Sequence, residues 1–296
     1  MPTPRIALVT GASSGIGQAT ALALHAAGFL VYASARRLSS LSELARQGLA
    51  TVQLDVTEEG SMVRALDQIK AETGTVSVLV NNAGYGLNGP LEELALPDVR
   101  EEFETNVFGL LRLSQLVLPD MRAQGWGRII HVGSVGGSFT APGAGAYHAS
   151  KYAVEALSDA MRYEVQSFGV DVVLIKPTGV HSAFVGKINA SLPQTGAKSP
   201  YATFKANMER ATTQMFAGRA PGIIQPEQVA RSIVQAATTR RPRTRYLVGT
   251  SAHVYLGLRR LVSDRMWDRL MTLQFPMTDR RTRSWMAGGT SPRPRP

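Results

Sequence analysis

The 296-residue chain has no cysteine, which excludes disulfides, thiolate nucleophiles and cysteine-built zinc sites and is compatible with a reducing cytosol. No run comes near the ~20 uninterrupted apolar residues that a membrane-spanning helix needs. The start, MPTPRIALVT, has one Arg and a short apolar run without the longer apolar stretch of a secretory signal. A soluble, cytoplasmic protein is the expectation. His25, His131, His148, His181 and His253 form no close pair and no metal-ligand spacing, so no metal site is expected. Acidic residues are scarce at one end only: residues 1–200 hold 15 Lys and Arg against 17 Asp and Glu, whereas residues 201–296 hold 17 against 5. The net charge of +10 is therefore entirely C-terminal. Such an excess suits nucleic acid, an anionic membrane surface, an acidic substrate or merely a solvated face. No nucleic-acid motif accompanies it, so no nucleic-acid partner is expected.

What is present is a core. With 44% apolar residues a chain of this length buries roughly three quarters of its unfolded surface. Short β-branched runs read as strands at Ile6 to Val9, Leu30 to Ala33, Val52 to Leu54, Val78 to Val80, Ile129 to Val132, Val172 to Ile175 and Tyr246 to Val248. Helical spacing fills the gaps between them. Ile16, Ala19, Ala23 and Ala27 share one face of a first helix that Gly28 ends, Thr57 is placed to cap the next, and Pro97 sits near the first turn of a long one reaching Met121. This alternation predicts an α/β fold, a doubly wound parallel sheet with helices on both faces. Residues 276–296 lack periodicity and are rich in Arg, Gly and Pro, which reads as a loose basic tail after one domain over 1–275.

The first strand runs into Thr10, Gly11, Ala12, Ser13, Ser14, Gly15, Ile16, Gly17, and a helix opens there. The glycines allow a tight turn and close backbone approach to a pyrophosphate, whose charge a helix N-terminus favours. The strand before and the helix after give the context that turns a glycine triplet into a dinucleotide-binding expectation. Proton transfer to a carbonyl oxygen needs a donor tuned from about 10 toward neutrality, and Tyr147 with Lys151 one helical turn on can supply one, since an ammonium beside a phenol favours the phenolate. Tyr201 and Lys205 repeat the spacing. Only the first pair has a hydroxyl, Ser134, at the end of a strand thirteen residues upstream.

Together TGASSGIG, Asn81-Asn82-Ala83-Gly84, Asn106 in ETNVFG, Ser134, and Tyr147 with Lys151 resemble the short-chain dehydrogenases/reductases, over about residues 5–185 and more loosely to about 275. The later organisation resembles the branch with 17β-hydroxysteroid and retinol-type dehydrogenases. The resemblance implies a Rossmann-type single domain, with a substrate flap near 183–224 and a helical cap near 250–275. It implies that Ser134 polarises a carbonyl, Tyr147 exchanges the proton, Lys151 also binds the nicotinamide ribose, and Asn106 holds a water in the proton relay. It further implies a cofactor site made of Gly11, Ser13, Ser14, Gly15, Ile16, Gly17, Asp55, Val56, Asn82, Ala83, Gly84, Tyr147, Lys151, Pro177, Val180 and Ser182. NAD-preferring members carry an acid after the second strand, where this chain has Ala35, Arg36 and Arg37. Two guanidiniums suit a 2′-phosphate, so NADP(H) is the expected cofactor. Two departures stand in the nicotinamide segment: Thr178 where Gly usually follows Pro, and Ser182 where Thr is common.

The expected activity is interconversion of a carbonyl and an alcohol on an apolar small molecule, with Phe184, Ile188, Tyr201, Phe204, Met208 and Met215 as candidate pocket residues. A catalytically silent NADP(H)-binding regulator of the same fold is the alternative, against which the full Ser, Tyr, Lys and Asn set argues. Tyr255, Leu258, Val262, Met266 and Leu270 fall near one helical stripe, with Leu261 and Met271 beside it and four arginines interleaved. This segment is expected to cover the pocket and to make at most weak, salt-sensitive peripheral contact with membrane. Assembly into a homo-oligomer is left open.

Overall fold

A computed structural model describes residues 5–181, 192–193, 199–216 and 222–274. Ser182, Phe184, Ile188, most of the flap, the side chain of Met215 and the tail lie outside the described residues. The strands are β1 (Ile6–Val9), β2 (Leu30–Ala35), β3 (Ala50–Gln53), β4 (Val78–Asn81), β5 (Gly127–Val132), β6 (Val170–Pro177) and β7 (Arg245–Val248). All pair in parallel, in the order β3-β2-β1-β4-β5-β6-β7. The helices are α1 (Gly15–Ala26), α2 (Ser42–Arg46), α3 (Glu59–Glu72), α4 (Leu96–Phe103), α5 (Gly109–Gln124), α6 (Gly145–Val165), α7 (Ala202–Phe216), α8 (Pro226–Thr238), α9 (Thr250–Leu261) and α10 (Asp264–Gln274).

The apolar runs are continuous because both faces of the sheet are covered. Ala7, Val9, Val78, Val80, Ile130, Val173 and Ile175 point to a layer shared with α1 and α8, while Leu8, Leu79, Ile129 and Val172 point to one shared with α3, α5 and α6. The order reverses between β1 and β4, so the crevice for a ligand lies at their carboxyl ends.

Three details differ from the sequence reading. The third strand is Ala50–Gln53 rather than Val52 to Leu54, because it pairs with Tyr32 to Ala35. The buried face of α1 is Gly17, Thr20, Ala21 and Leu24, not the stripe of Ile16, Ala19, Ala23 and Ala27. Gly17 sets that phase: a Cβ there would lie 2.3 Å from the Gly11 carbonyl oxygen and 2.6 Å from Asn82 Nδ2. Glu58, not Thr57, precedes α3 as its N-cap, since the Thr57 amide and hydroxyl both donate to Asp55 Oδ1, at 2.9 and 2.8 Å.

The long helix is not continuous either. Pro97 stands in the first turn of α4, but Glu104–Phe108 widens into a π-helical segment before α5 begins. Such widening is frequent at functional sites. The C-terminal segment is two helices, because the backbone is extended at Val262 and changes phase. Tyr255, Leu256, Val262, Leu270 and Met271 consequently pack inward, whereas Leu258, Leu261 and Met266 are exposed.

Candidate active site

The glycine loop is shaped by backbone that side chains would obstruct. Gly11 and Gly15 have φ of +64° and +57°, a left-handed region that favours glycine. A Cβ on Gly11 would lie 2.9 Å from Ala83 Cα. The loop is stapled to the end of β4: Asn82 Nδ2 donates to the Thr10 carbonyl at 2.9 Å, and Thr10 Oγ1 accepts the amides of Asn82 (2.9 Å) and Ala83 (3.0 Å). Asn81 points the other way, donating to Ser114 Oγ at 2.9 Å in the core. The N-terminus of α1 opens on the crevice with no acidic residue in its first turn. That cradle fits a pyrophosphate.

The crevice is a cavity of about 1200 Å³. It is lined by Gly11, Ser13, Ser14, Gly15, Ile16, Arg36, Asp55, Val56, Asn82, Ala83, Gly84, Ser134, Tyr147, Lys151, Pro177 and Val180. Gly17 and Arg37 are not on its surface. Gly17 is buried beneath the loop, and Arg37, exposed, accepts the Ser40 hydroxyl on its carbonyl at 2.6 Å. The segment after β6 pairs with Ile224: its amide donates to the Gly179 carbonyl and its carbonyl accepts from His181, both at 2.9 Å. Thr178 has a partner of its own, the Ser251 hydroxyl at 2.8 Å, which ties this segment to α9.

Ser134, half-buried, caps the 3-10 turn Val135–Gly137 through the Gly136 amide (3.0 Å) and is hydrogen-bonded to the Tyr147 hydroxyl. Lys151 is buried on α6, where its ammonium donates to the Val132 carbonyl at 3.0 Å and lies 5.8 Å from the Tyr147 ring centre. Burial brings Lys151 down to about 8, opposed by the charge of Glu102. The expected depression of Tyr147 is absent in the protein alone. Burial pushes its hydroxyl up to about 12, the Ser134 hydrogen bond pulls it down, and the Glu102 charge raises it.

Asn106 sits behind the cavity wall within the π-helical segment. Its Oδ1 accepts the Tyr85 amide (3.0 Å), and its Nδ2 donates to the Tyr85 carbonyl (2.8 Å) and Ser150 Oγ (3.0 Å). Its amide thus fixes the loop after β4. Tyr201 and Lys205 are elsewhere, bound to Glu92 (2.5 Å) and Glu93 (2.7 Å).

Two further residues shape the site. His148 lines the cavity beside Tyr147, its Nδ1 set against the Gly136 (2.8 Å) and Phe139 (2.7 Å) carbonyls, so that nitrogen carries the hydrogen. Burial lowers its basicity, and it pins the 3-10 turn to α6. Glu102, fully buried on α4, accepts the Leu87 amide at 2.9 Å. Burial pushes its carboxyl up to about 7, against that hydrogen bond and the Lys151 charge. Its place one turn before Asn106 was the available signal. The far wall of the cavity is apolar, with Phe139, Met208, Tyr255 and Met271 lining it. Phe139 stacks on Tyr255 at 5.5 Å and meets Trp267 edge-on at 5.4 Å.

A family model described as short chain dehydrogenase matches residues 5–193. Uncharacterized oxidoreductase YbbO of Escherichia coli K12 is 34% identical over 89% of this chain and 93% of its own length. The NADPH-dependent 3-dehydrocapnine reductase of Ornithobacterium rhinotracheale is 31% identical over 90% and 95% of the two chains. Human 17-beta-hydroxysteroid dehydrogenase type 1 is 36% identical over 81% and 76%. Among solved structures, a short-chain dehydrogenase from Streptomyces avermitilis is similar at a TM-score of 0.76, with 30% identity over 97% of this chain and 100% of that one. A short-chain dehydrogenase/reductase from Burkholderia phymatum in complex with NAD gives 0.74, with 25% identity over 93% and 97%. The match over most of the chain, on a sheet of this order with these residues at its carboxyl ends, makes the protein a member of the short-chain dehydrogenase/reductase family of oxidoreductases.

Proposed function

We propose that the chain is an NADP(H)-dependent oxidoreductase that interconverts a carbonyl and a secondary or primary alcohol on an apolar substrate. The observation that carries this reading is the hydrogen-bonded Ser134 and Tyr147, with Lys151 one turn on, in a cavity whose far wall is Phe139, Met208, Tyr255 and Met271. The glycine loop, Asp55, Val56, Asn82, Ala83, Gly84, Pro177 and Val180 would hold the dinucleotide, which when bound supplies or accepts the hydride at the substrate carbon. Ser134 orients the substrate oxygen. Tyr147, kept protonated by burial, donates its proton as that oxygen gains negative charge, and takes it back in the oxidative direction. The Lys151 ammonium then stabilises the phenolate.

For the 2′-phosphate, support comes from Arg36 on the cavity surface and from the absence of an acid at Ala35, Arg36 and Arg37. The NADPH-dependent relative agrees with this, whereas the NAD-bound neighbour marks the preference as one to be measured. An apolar substrate also suits the cap, whose outward residues Val254, Leu258, Leu261, Met266 and Leu273 are exposed beside Arg260, Arg265 and Arg269. That surface suits weak contact with an anionic bilayer. NADPH consumption with a panel of lipophilic and polar ketones and aldehydes tests the proposal. Turnover of lipophilic members supports it; tight NADPH binding without turnover of any would replace it with the regulator reading.

A further inference from the structure

Among the described residues three cations are buried: Arg128, Lys151 and Lys176. Two have a carboxylate at contact distance, Asp171 at 3.1 Å from Arg128 and Glu155 at 2.6 Å from Lys176. Lys151 has none among the described residues; its ammonium donates to the neutral Val132 carbonyl and lies over the neutral Tyr147 ring. The same set of residues contains one buried carboxylate, Glu102. One of its oxygens accepts the Leu87 amide, and the other has no hydrogen-bond partner among the described residues. Its helix, α4, packs on α6, which carries Lys151, and each group feels the charge of the other. A buried ion without compensation is costly, whereas two opposite ones in a poorly screened interior offset each other.

We propose that Glu102 is the counter-charge of Lys151, a positioning residue that raises the share of this lysine present as an ammonium at and above neutral pH and acts on Tyr147 through it. The inference rests on the role given to Lys151 above. The other ionisable groups in this field are Tyr85 on the loop after β4 and Tyr147 on α6; at Tyr85 the field of Glu102 is shared with Asp98 and Glu101 of its own helix and opposed by Arg36. His131 on β5 feels the Lys151 charge and is kept neutral by burial, and Arg36 is exposed to solvent, so Lys151 is the buried cation of this group. With the carboxyl held near 7 and the lysine near 8, both groups change charge in the range where the enzyme would work.

Glu102→Gln tests this, because the amide keeps an acceptor for Leu87 and imitates the protonated carboxyl. The first readout needs neither cofactor nor substrate: the 13Cε signal of Lys151 in lysine-labelled protein, assigned with Lys151→Met and followed against pH. The midpoint should fall by about one pH unit in Glu102→Gln. An unchanged midpoint overturns the proposal while leaving the oxidoreductase reading standing. The second readout is the rate of carbonyl reduction. Wild type and variant should agree within about twofold at pH 6, where Glu102 is already neutral, and diverge about tenfold at pH 9 with the variant slower. A loss of the same factor at every pH would mean a merely structural role, and a faster variant at pH 9 would mean that the carboxylate acts on Tyr147 directly; either overturns it. Should Glu102→Gln fail to fold, the wild-type signal decides: a second inflection near pH 7 supports the coupling and a single transition refutes it.

Discussion

At the glycine loop the cavity wall is main chain, held by Thr10, Asn82 and two glycines of positive φ, whereas at the cap it is side chain, assembled from Phe139, Met208, Tyr255 and Met271 with Trp267 behind them. The first kind of wall dictates residue identity, since a Cβ on Gly11 or Gly17 would collide with backbone. The second dictates only apolar volume, which many combinations of residues supply. One end therefore fixes the chemistry, and the other is free to set the substrate. If that division holds, damage at either end should be felt differently at the other.

The largest effect is expected where the two ends meet. Tyr147→Phe removes the proton and at most one hydroxyl contact to the dinucleotide, leaving the rest of the cofactor site in place, so turnover should fall by ~10² to 10⁴ while the Kd for NADPH stays within a few fold. Lys151→Ala should damage both. Retention of more than about a tenth of the wild-type rate by the Phe variant would sink the proton-transfer role. Next comes Trp267→Ala. Removing a ring packed against Phe139 should cost about 3 to 5 kcal/mol of local stability. Hydrogen exchange should accelerate in α9 and α10 but not in β1 or α1, and KM for a lipophilic ketone should rise with NADPH affinity unchanged. Equal acceleration throughout would break the division between the two ends.

The same division explains what was legible in the sequence. All seven strands and the glycine loop could be read because parallel strands buried on both faces need continuous apolar runs, and because a left-handed φ needs glycine. The phase of α1 was misjudged because the Gly17 contact with Gly11 and Asn82 is tertiary and leaves no periodic trace. The cap was taken as one stripe because nothing in the sequence marks the extended backbone at Val262. The net depression expected for Tyr147 does not emerge in the protein alone, because four residues of helical spacing place Tyr147 and Lys151 on one face but do not reveal how completely the phenol is desolvated. Glu102 was overlooked because a carboxylate in a run of Glu101, Glu102 and Glu104 reads as solvated surface until packing buries one of the three.

A smaller effect separates two adjacent guanidiniums. Arg36→Ala should weaken NADPH binding by about 1.5 to 3 kcal/mol, very roughly ten- to a hundred-fold, while leaving NADH almost unchanged. Arg37→Ala should do less, since only Arg36 lines the cavity. Equal dissociation constants for the two cofactors in the wild-type protein would remove the basis of the NADP(H) reading.

The smallest effect on the folded protein should come from Leu261→Glu, and it sharpens the comparison by dividing a single helix pair into an inner and an outer face. Tyr255 and Met271 face the cavity, while Leu261 is 86% exposed and meets none of the packing that holds the cap. Its replacement should change stability by no more than about 0.5 kcal/mol, the range for surface positions free of special contacts. Turnover of a water-soluble ketone should be unaffected. If the outer face rests on lipid, however, a carboxylate among Val254, Leu258 and Met266 opposes insertion and repels anionic headgroups, so flotation with phosphatidylglycerol vesicles at low salt should be lost in the variant. Wild-type protein should float with those vesicles, less so at high salt, and not with phosphatidylcholine alone. Failure of the wild type to float leaves the inner face as the cap's one function. Dissociation of a dimer by the same substitution would instead make the outer face a contact between two copies of the chain.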